Sequence, residues 1–219
     1  MKIDTHIHSC YSYDSAAKLE DIVDYSKNLG LGAIAITDHD NINSIDKINK
    51  IKDDELIIIH GEEISSKEGH IIALGIQEHI KALQTTSETI DQIHVQGGVA
   101  IAAHPYCLYR SGMGKIVEEV NIDAIETMNS RFIFGISNYR AKKLSDKQKI
   151  PVIGASDAHF IKGIGRCYTE IPDADNVDDI LNHIKKGNTS AYGERTPFQL
   201  IIKEVIRKKG HKTKPQVLE

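Results

Sequence analysis

The sequence predicts an α/β fold in which mostly parallel strands, joined by right-handed crossovers, close into an irregular barrel. Eight short apolar, strand-like runs alternate along the chain with six stretches of helical spacing. Most of the apolar runs end abruptly in residues able to bind metal, as strands do when their C-terminal ends share one rim. The length of 219 residues suits one large domain, or a domain with a small appendage, and allows a substantial core.

The elements follow in order. Lys2 to His6 opens as a strand. Leu19, Ile22, Val23, Tyr25 and Ser26 then give helical spacing over Lys18 to Leu29, and Gly30 supplies the stop. Ala33 to Thr37 reads as a buried strand, Ile42 to Lys52 as a helix and Leu56 to His60 as a strand. The next strand, His70 to Ile76, is the exception to the parallel rule. Only six residues separate Glu63 from His70, too few for a crossover helix, so this strand turns back as an antiparallel hairpin. Its first residue then lies at the rim where the preceding strand ended. Helix Ser87 to Gln96, strand Val99 to Ala103, helix Lys115 to Val120 and strand Ala124 to Met128 come next. Helix Ser137 to Gln148, strands Val152 to Gly154 and Cys167 to Ile171, and helix Val177 to Lys186 complete the alternation. In that last helix Ile180, Leu181 and Ile184 form the apolar face before Gly187. The expected organisation is a barrel over residues 1–171 and a helical extension over 172–219 that packs on it. Within that extension, the chain from Pro197 reads as a helix followed by a mobile basic tail.

Bulk properties narrow the function classes. A formal charge of −4 and a pI near 6.3 give no overall basic footprint for nucleic acid, although metal ions can hold phosphates where a protein is acidic. Cys10, Cys107 and Cys167 are widely spaced and odd in number, so they read as reduced thiols. Lys2 to His6 leads straight into a strand with no leader-like segment, and no apolar run is long enough to span a bilayer. A cytoplasmic protein with no membrane association and no obligate protein partner is expected.

Nine candidate metal ligands arrive in five packets: DTHIHS, ITDHD, HGEEIS with GHIIALG, IAAHPY and GASDAH. His6 and His8 alternate on a strand, which puts both imidazoles on one face with Cα atoms about 6.6 Å apart. Asp14 follows in a polar loop able to fold over the site. His39 ends the buried run Ala-Ile-Ala-Ile-Thr, and Asp38 or Asp40 is expected to accept its other ring proton. Of the neighbours Glu62 and Glu63, alternation sends only one inward; Glu63 is selected, with Glu62 as the alternative. His70 joins through the hairpin. His104 is presented by the stiff His-Pro step after Val-Ala-Ile-Ala-Ala. Asp157 and His159 close the series from one rim. His60 reads as structural, and His79, His94, His183 and His211 as surface residues.

The ordered set HIHS, TDHD, GEEIS, AHP and SDAH resembles the PHP (polymerase and histidinol phosphatase) family from Met1 to about Ile171. The resemblance implies a distorted seven-stranded (β/α) barrel with a trinuclear metal centre. It implies that His6, His8, Glu63 and Asp157 hold a first metal, and that Glu63 bridges to a second held by His70 and His104. Asp14, His39 and His159 would hold a third. It also implies a metal-dependent phosphoesterase that hydrolyses phosphomonoesters or nucleotides by a metal-activated hydroxide, acting on a small phosphorylated substrate or a nucleic-acid end. Two or three divalent ions per chain are expected, of Zn, Mn or Fe, since a mixed nitrogen and oxygen shell does not choose among them. The catalytic residues expected are Asp157, His159 and Arg131, with His159 or a metal-bound water expected to protonate the leaving oxygen. Arg131 and Arg110 are the expected substrate-binding residues, because a planar guanidinium suits bidentate phosphate binding. The alternatives are a non-catalytic PHP module that binds RNA or protein in a larger assembly and a hydrolase acting on C–N bonds.

Overall fold

The computed structural model describes residues 1–51, 53–132 and 135–211, with the side chains of residue 108 and residues 207–211 left aside. The strands are β1 (Lys2–Ile7), β2 (Ala33–His39), β3 (Ile57–Ser65), β4 (His70–Leu74), β5 (Val99–Ala102), β6 (Ala124–Asn129), β7 (Val152–Ala155), β8 (Cys167–Glu170) and β9 (Ser190–Gly193). The helices are α1 (Leu19–Asn28), α2 (Ile45–Ile48), α3 (Thr86–Val95), α4 (Ile136–Gln148), α5 (Val177–Lys185) and α6 (Phe198–His211). The expected helix Lys115 to Val120 is instead a 3₁₀ stretch, Gly114–Glu118. The expected helix over Ile42 to Lys52 forms only at Ile45–Ile48. The tail beyond α6 lies outside the described residues.

The strands form one sheet in the order β7-β6-β5-β4-β3-β2-β1-β8-β9. β1, β2 and β3 are mutually parallel, β4 is antiparallel to both β3 and β5, and β5, β6 and β7 are parallel again. At the rim the circle closes: Ile7 bridges Ala158 just past β7, with His8 N donating to Ala158 O at 2.9 Å. At the opposite end β8 pairs antiparallel with β1 at Lys2 and Ile3, and β9 pairs with β8. Seven strands therefore close the rim, and a hairpin fills the gap between β1 and β7 below. The nine-stranded sheet and the seven-stranded expectation describe the same barrel-type fold. β9 is four residues of Ser-Ala-Tyr-Gly with one side open to solvent, so its pattern alone carries little strand signal.

The interior is narrow because Ala33, Ala35, Ala103, Ala124 and Ala155 line it beside Ile3, Ile59, Leu74 and Ile101. Ile180, Leu181 and Ile184 of α5 join that cluster and plug the end of the barrel opposite the rim. Burying three aliphatic side chains contributes about 1.5–3 kcal/mol each. The remaining helices cover the outside: α1 and α2 pack on β1 and β2, and α3 and α4 on β4 to β6. Apolar packing thus seals every part of the barrel except the rim. No helix among the described residues is long and apolar enough to cross a membrane.

Candidate metal centre

All nine side chains named from the sequence, Asp14 of the polar loop included, meet at the rim. Strand alternation sends His6 and His8 inward while Ile7 packs outward against α1. The same alternation separates the two glutamates. Glu63 points into the rim, whereas Glu62 leaves it and accepts from His79 Nδ1 at 2.7 Å and Ile80 N at 3.2 Å. Ser65 faces His70 across the β3–β4 hairpin, which returns His70 to the level of Glu63. His104 and Asp157 sit just beyond their strands with φ of 32° and 54°, left-handed values that bulky L residues rarely adopt. Both turns aim the side chain back over the barrel mouth, the kind of backbone strain that concentrates at functional sites.

Glu63 is the hub. Its Oε2 lies 3.1 Å from Nε2 of both His6 and His8, and those two nitrogens are 3.0 Å apart. Its Oε1 lies 2.8 Å from His70 Nδ1 and 2.9 Å from His104 Nε2. His39 Nδ1 is 3.2 Å from Oε2 but out of line for a hydrogen bond. On the other side Asp14 Oδ2 is 2.8 Å from His159 Nε2 and 3.8 Å from His39 Nε2. Donor atoms of three groups lie within 4.8 Å of one another: His8, Asp14, His39 and His159; His6, His8 and Asp157; and His39, Glu63 and His70.

The electrostatics suit cations. Burial would raise the Glu63 carboxyl, but His39, His6 and His70 outweigh it and hold the group well below the usual carboxylate range. Asp157 is likewise held low against its burial, chiefly by Arg110 and then His6. Burial lowers His8 and His104, brings His39 down to about 4, and with Arg131 holds His159 well below its ordinary value. His6 and His70 are the exceptions: Asp157, Glu63 and Glu126 overcome burial at His6, Glu63 overcomes it at His70, and both are raised. Neutral imidazoles beside ionised carboxylates are the protonation states that metal ligation requires. Two imidazole nitrogens 3.0 Å apart can share only one proton, and the buried Nδ1 of His39, beside Glu63, lacks a hydrogen-bond partner among the described residues. Each of these features is relieved by a divalent cation, so the donor set fits the group.

Two side chains behave differently from the sequence expectation. Neither Asp38 nor Asp40 meets the His39 ring. Asp38 accepts from Ser9 N at 2.6 Å and Ser9 Oγ at 2.7 Å, while Asp40 accepts from Ser65 N at 2.7 Å and Ser65 Oγ at 2.8 Å. Asp38 precedes His39 on β2 and points to the opposite face, whereas Asp40 follows it in a left-handed turn with φ of 50°, and each braces a loop beside the mouth. The arginines do reach the site: Arg110 Nη2 pairs with Asp157 Oδ2, and Arg131 Nη1 lies 3.2 Å from Asp157 Oδ1 and 2.7 Å from His159 Nδ1.

Sequence reasoning passed over Glu126 and Asn129. Glu126 is fully buried on β6; its Oε1 lies 2.7 Å from His6 Nδ1 and its Oε2 accepts from His104 N at 2.7 Å. Asn129 Nδ2 donates to both Glu126 Oε2 and Asp157 Oδ2 at 2.9 Å. The available signal was a charged residue inside the otherwise buried run Ala-Ile-Glu-Thr-Met-Asn.

The PHP domain profile matches residues 4–94, and the PHP-associated profile matches residues 135–189. The uncharacterized protein MJ1587 of Methanocaldococcus jannaschii is 34% identical over 149 residues, which cover 63% of this chain and 87% of that one. Among solved structures, a two-domain protein of Bacteroides vulgatus is described as containing a predicted PHP-like metal-dependent phosphoesterase. It superposes with a TM-score of 0.66 at 20% identity, covering 89% of this chain and 65% of that one. The lesion-specific endonuclease PfuEndoQ of Pyrococcus furiosus gives a TM-score of 0.67 at 19% identity, covering 87% of this chain and 57% of its own. This chain thus spans about three-fifths of the length of those two larger proteins.

Proposed function

The chain belongs to the PHP family, and from that premise we propose that it is a divalent-metal-dependent phosphoesterase acting on a small phosphate ester or the phosphorylated end of a nucleic acid. The observation that carries the reading is the convergence of six histidines and three carboxylates on one buried rim with two arginines at its edge. His6, His8, Glu63 and Asp157 would hold one cation, Glu63, His70 and His104 a second, and Asp14, His39 and His159 a third. Zn, Mn or Fe satisfies such a shell. Bound cations supply Lewis-acid activation of water and neutralise charge on the phosphoryl oxygens.

The chain's own residues supply the rest. Arg110 and Arg131 flank Asp157 from two sides, so a phosphate entering the mouth meets two planar donor forks. Glu126 accepts from the outer nitrogen of His6 and keeps its Nε2 lone pair directed at the mouth. His159, held against Asp14 and Arg131, is kept neutral and is placed to serve a cation rather than to protonate the leaving oxygen. The barrel interior and the α5 plug exclude water from below, so solvent and substrate enter only by the rim.

Phosphate release tests the reading. Protein loaded with Mn²⁺ or Zn²⁺ is offered histidinol phosphate, mononucleotides, a 3′,5′-bisphosphate and 5′-phosphorylated oligonucleotides, with Asp157→Ala as the blank. Turnover of one class well above the blank is expected. A variant as active as the parent, or a metal-loaded parent silent on the whole panel, refutes it.

A further inference from the structure

The C-terminal helix α6 approaches the mouth in an unusual way. Its start is fixed beside β6, where Thr196 N donates to Ser130 O at 2.7 Å and the two hydroxyls lie 2.8 Å apart. Along the helix Phe198, Ile202, Val205 and Ile206 are exposed. The buried member among its described side chains is a carboxylate, Glu204, at 3% exposure. Leu200 and Ile201 give the helix a half-buried apolar footing. Glu204 Oε1 lies 3.2 Å from Nη2 of Arg131, whose Nη1 reaches Asp157 and His159.

We propose that Glu204 is a positioning residue of the active site, holding the Nη2 end of Arg131 so that its Nη1 end faces the reacting phosphate. The inference rests on the phosphoesterase reading. Asp157 belongs to the donor set, and a carboxylate serving a cation has less charge left to offer a guanidinium. Cations in the same pocket also repel Arg131. Glu204 is then the carboxylate that keeps Arg131 at the mouth, and its own burial makes the departure of Arg131 costly. A guanidinium anchored at one end presents its other end in a fixed plane, which is what bidentate phosphate recognition needs. On this account the C-terminal helix is part of the active site although no ligand packet falls on it.

A double-mutant cycle tests the proposal in the full chain loaded with Mn²⁺, using E204Q, R131A and both together. The readouts are the affinity for inorganic phosphate by calorimetry, KM and kcat for the ester selected above, and Tm as a fold control. E204Q alone is expected to weaken phosphate binding and raise KM by about tenfold, the scale of a lost charge-assisted contact. In the R131A background the same change should alter neither by more than about twofold, because coupled residues are non-additive. Equal losses with and without Arg131, or phosphate affinity unchanged in E204Q, overturn the proposal. If E204Q lowers Tm steeply, E204D, which keeps the charge, must restore phosphate affinity at least partly; failure of that rescue also overturns it. Absent turnover with an intact phosphate-binding cycle would sink the catalytic reading alone. A parent that binds no phosphate sinks both.

Discussion

Replacing Glu126 by Gln should weaken metal binding although Glu126 lies behind the donor set. Its Oε1 takes a hydrogen bond from His6 Nδ1 at 2.7 Å, and its Oε2 takes two, from His104 N at 2.7 Å and Asn129 Nδ2 at 2.9 Å. All three partners are donors when His6 carries its proton on Nδ1 and leaves Nε2 free. A glutamine has one oxygen and one NH₂ for the same two positions. If its oxygen stays on His6, its NH₂ faces two donors. If it flips, the NH₂ faces His6 Nδ1 and favours the tautomer whose Nε2 carries the proton and cannot bind metal. Either arrangement leaves at least one buried donor unsatisfied, at about 1–3 kcal/mol. Removing such a supporting partner typically lowers metal affinity about 10–100-fold, which is about 1.4–2.7 kcal/mol. Titrating chelator-treated protein with Zn²⁺ or Mn²⁺ against a competing fluorescent chelator measures this directly. Parent-like affinity in E126Q would show that Glu126 does not set the His6 tautomer.

Two further perturbations probe the scaffold. A Cβ at Gly154 would lie 2.3 Å from the Tyr168 carbonyl oxygen, so G154A must push the β8–β9 hairpin off β7. The expected loss is about 1–3 kcal/mol, or several degrees in Tm at about 2–4 °C per kcal/mol for a domain of this size; an unchanged Tm would show that the hairpin moves freely. Asp4 is buried at the foot of the site, accepting from Ser156 N at 3.0 Å and Gly165 N at 2.9 Å, and burial raises its carboxyl from 3.8 to about 6. A folded pKa above the unfolded one stabilises the protein at pH below the unfolded value, and that stability is lost as pH rises through the folded value. D4N should therefore gain on the parent by about 3 kcal/mol between about pH 4 and pH 6, at about 1.36 kcal/mol per pKa unit. Denaturant unfolding of the metal-free proteins across that window checks it, and a flat difference would mean that Asp4 titrates as an ordinary carboxyl.

Residue type and local period were enough to name the side chains that meet at the rim. His6 and His8 share a face because strands alternate, and the short Glu63–His70 gap required the hairpin that brings His70 back to the rim. His104 and Asp157 were legible because a charged or imidazole side chain after a buried apolar run marks a strand end. These signals are local, spanning a few residues that the chain holds together at no cost in loop entropy. Glu63 was selected over Glu62 from the sequence, but alternation says only that the two point apart, and it is the barrel that makes the face of Glu63 the mouth. The second layer was likewise invisible: Glu126 supports His6 from 120 residues away, and Glu204 meets Arg131 across 73. A lone glutamate in a strand or a helix has the same sequence signature whether it is solvated or buried against a distant partner. Only chain folding, which brings β6, β7 and the C-terminal helix around one mouth, decides between the two.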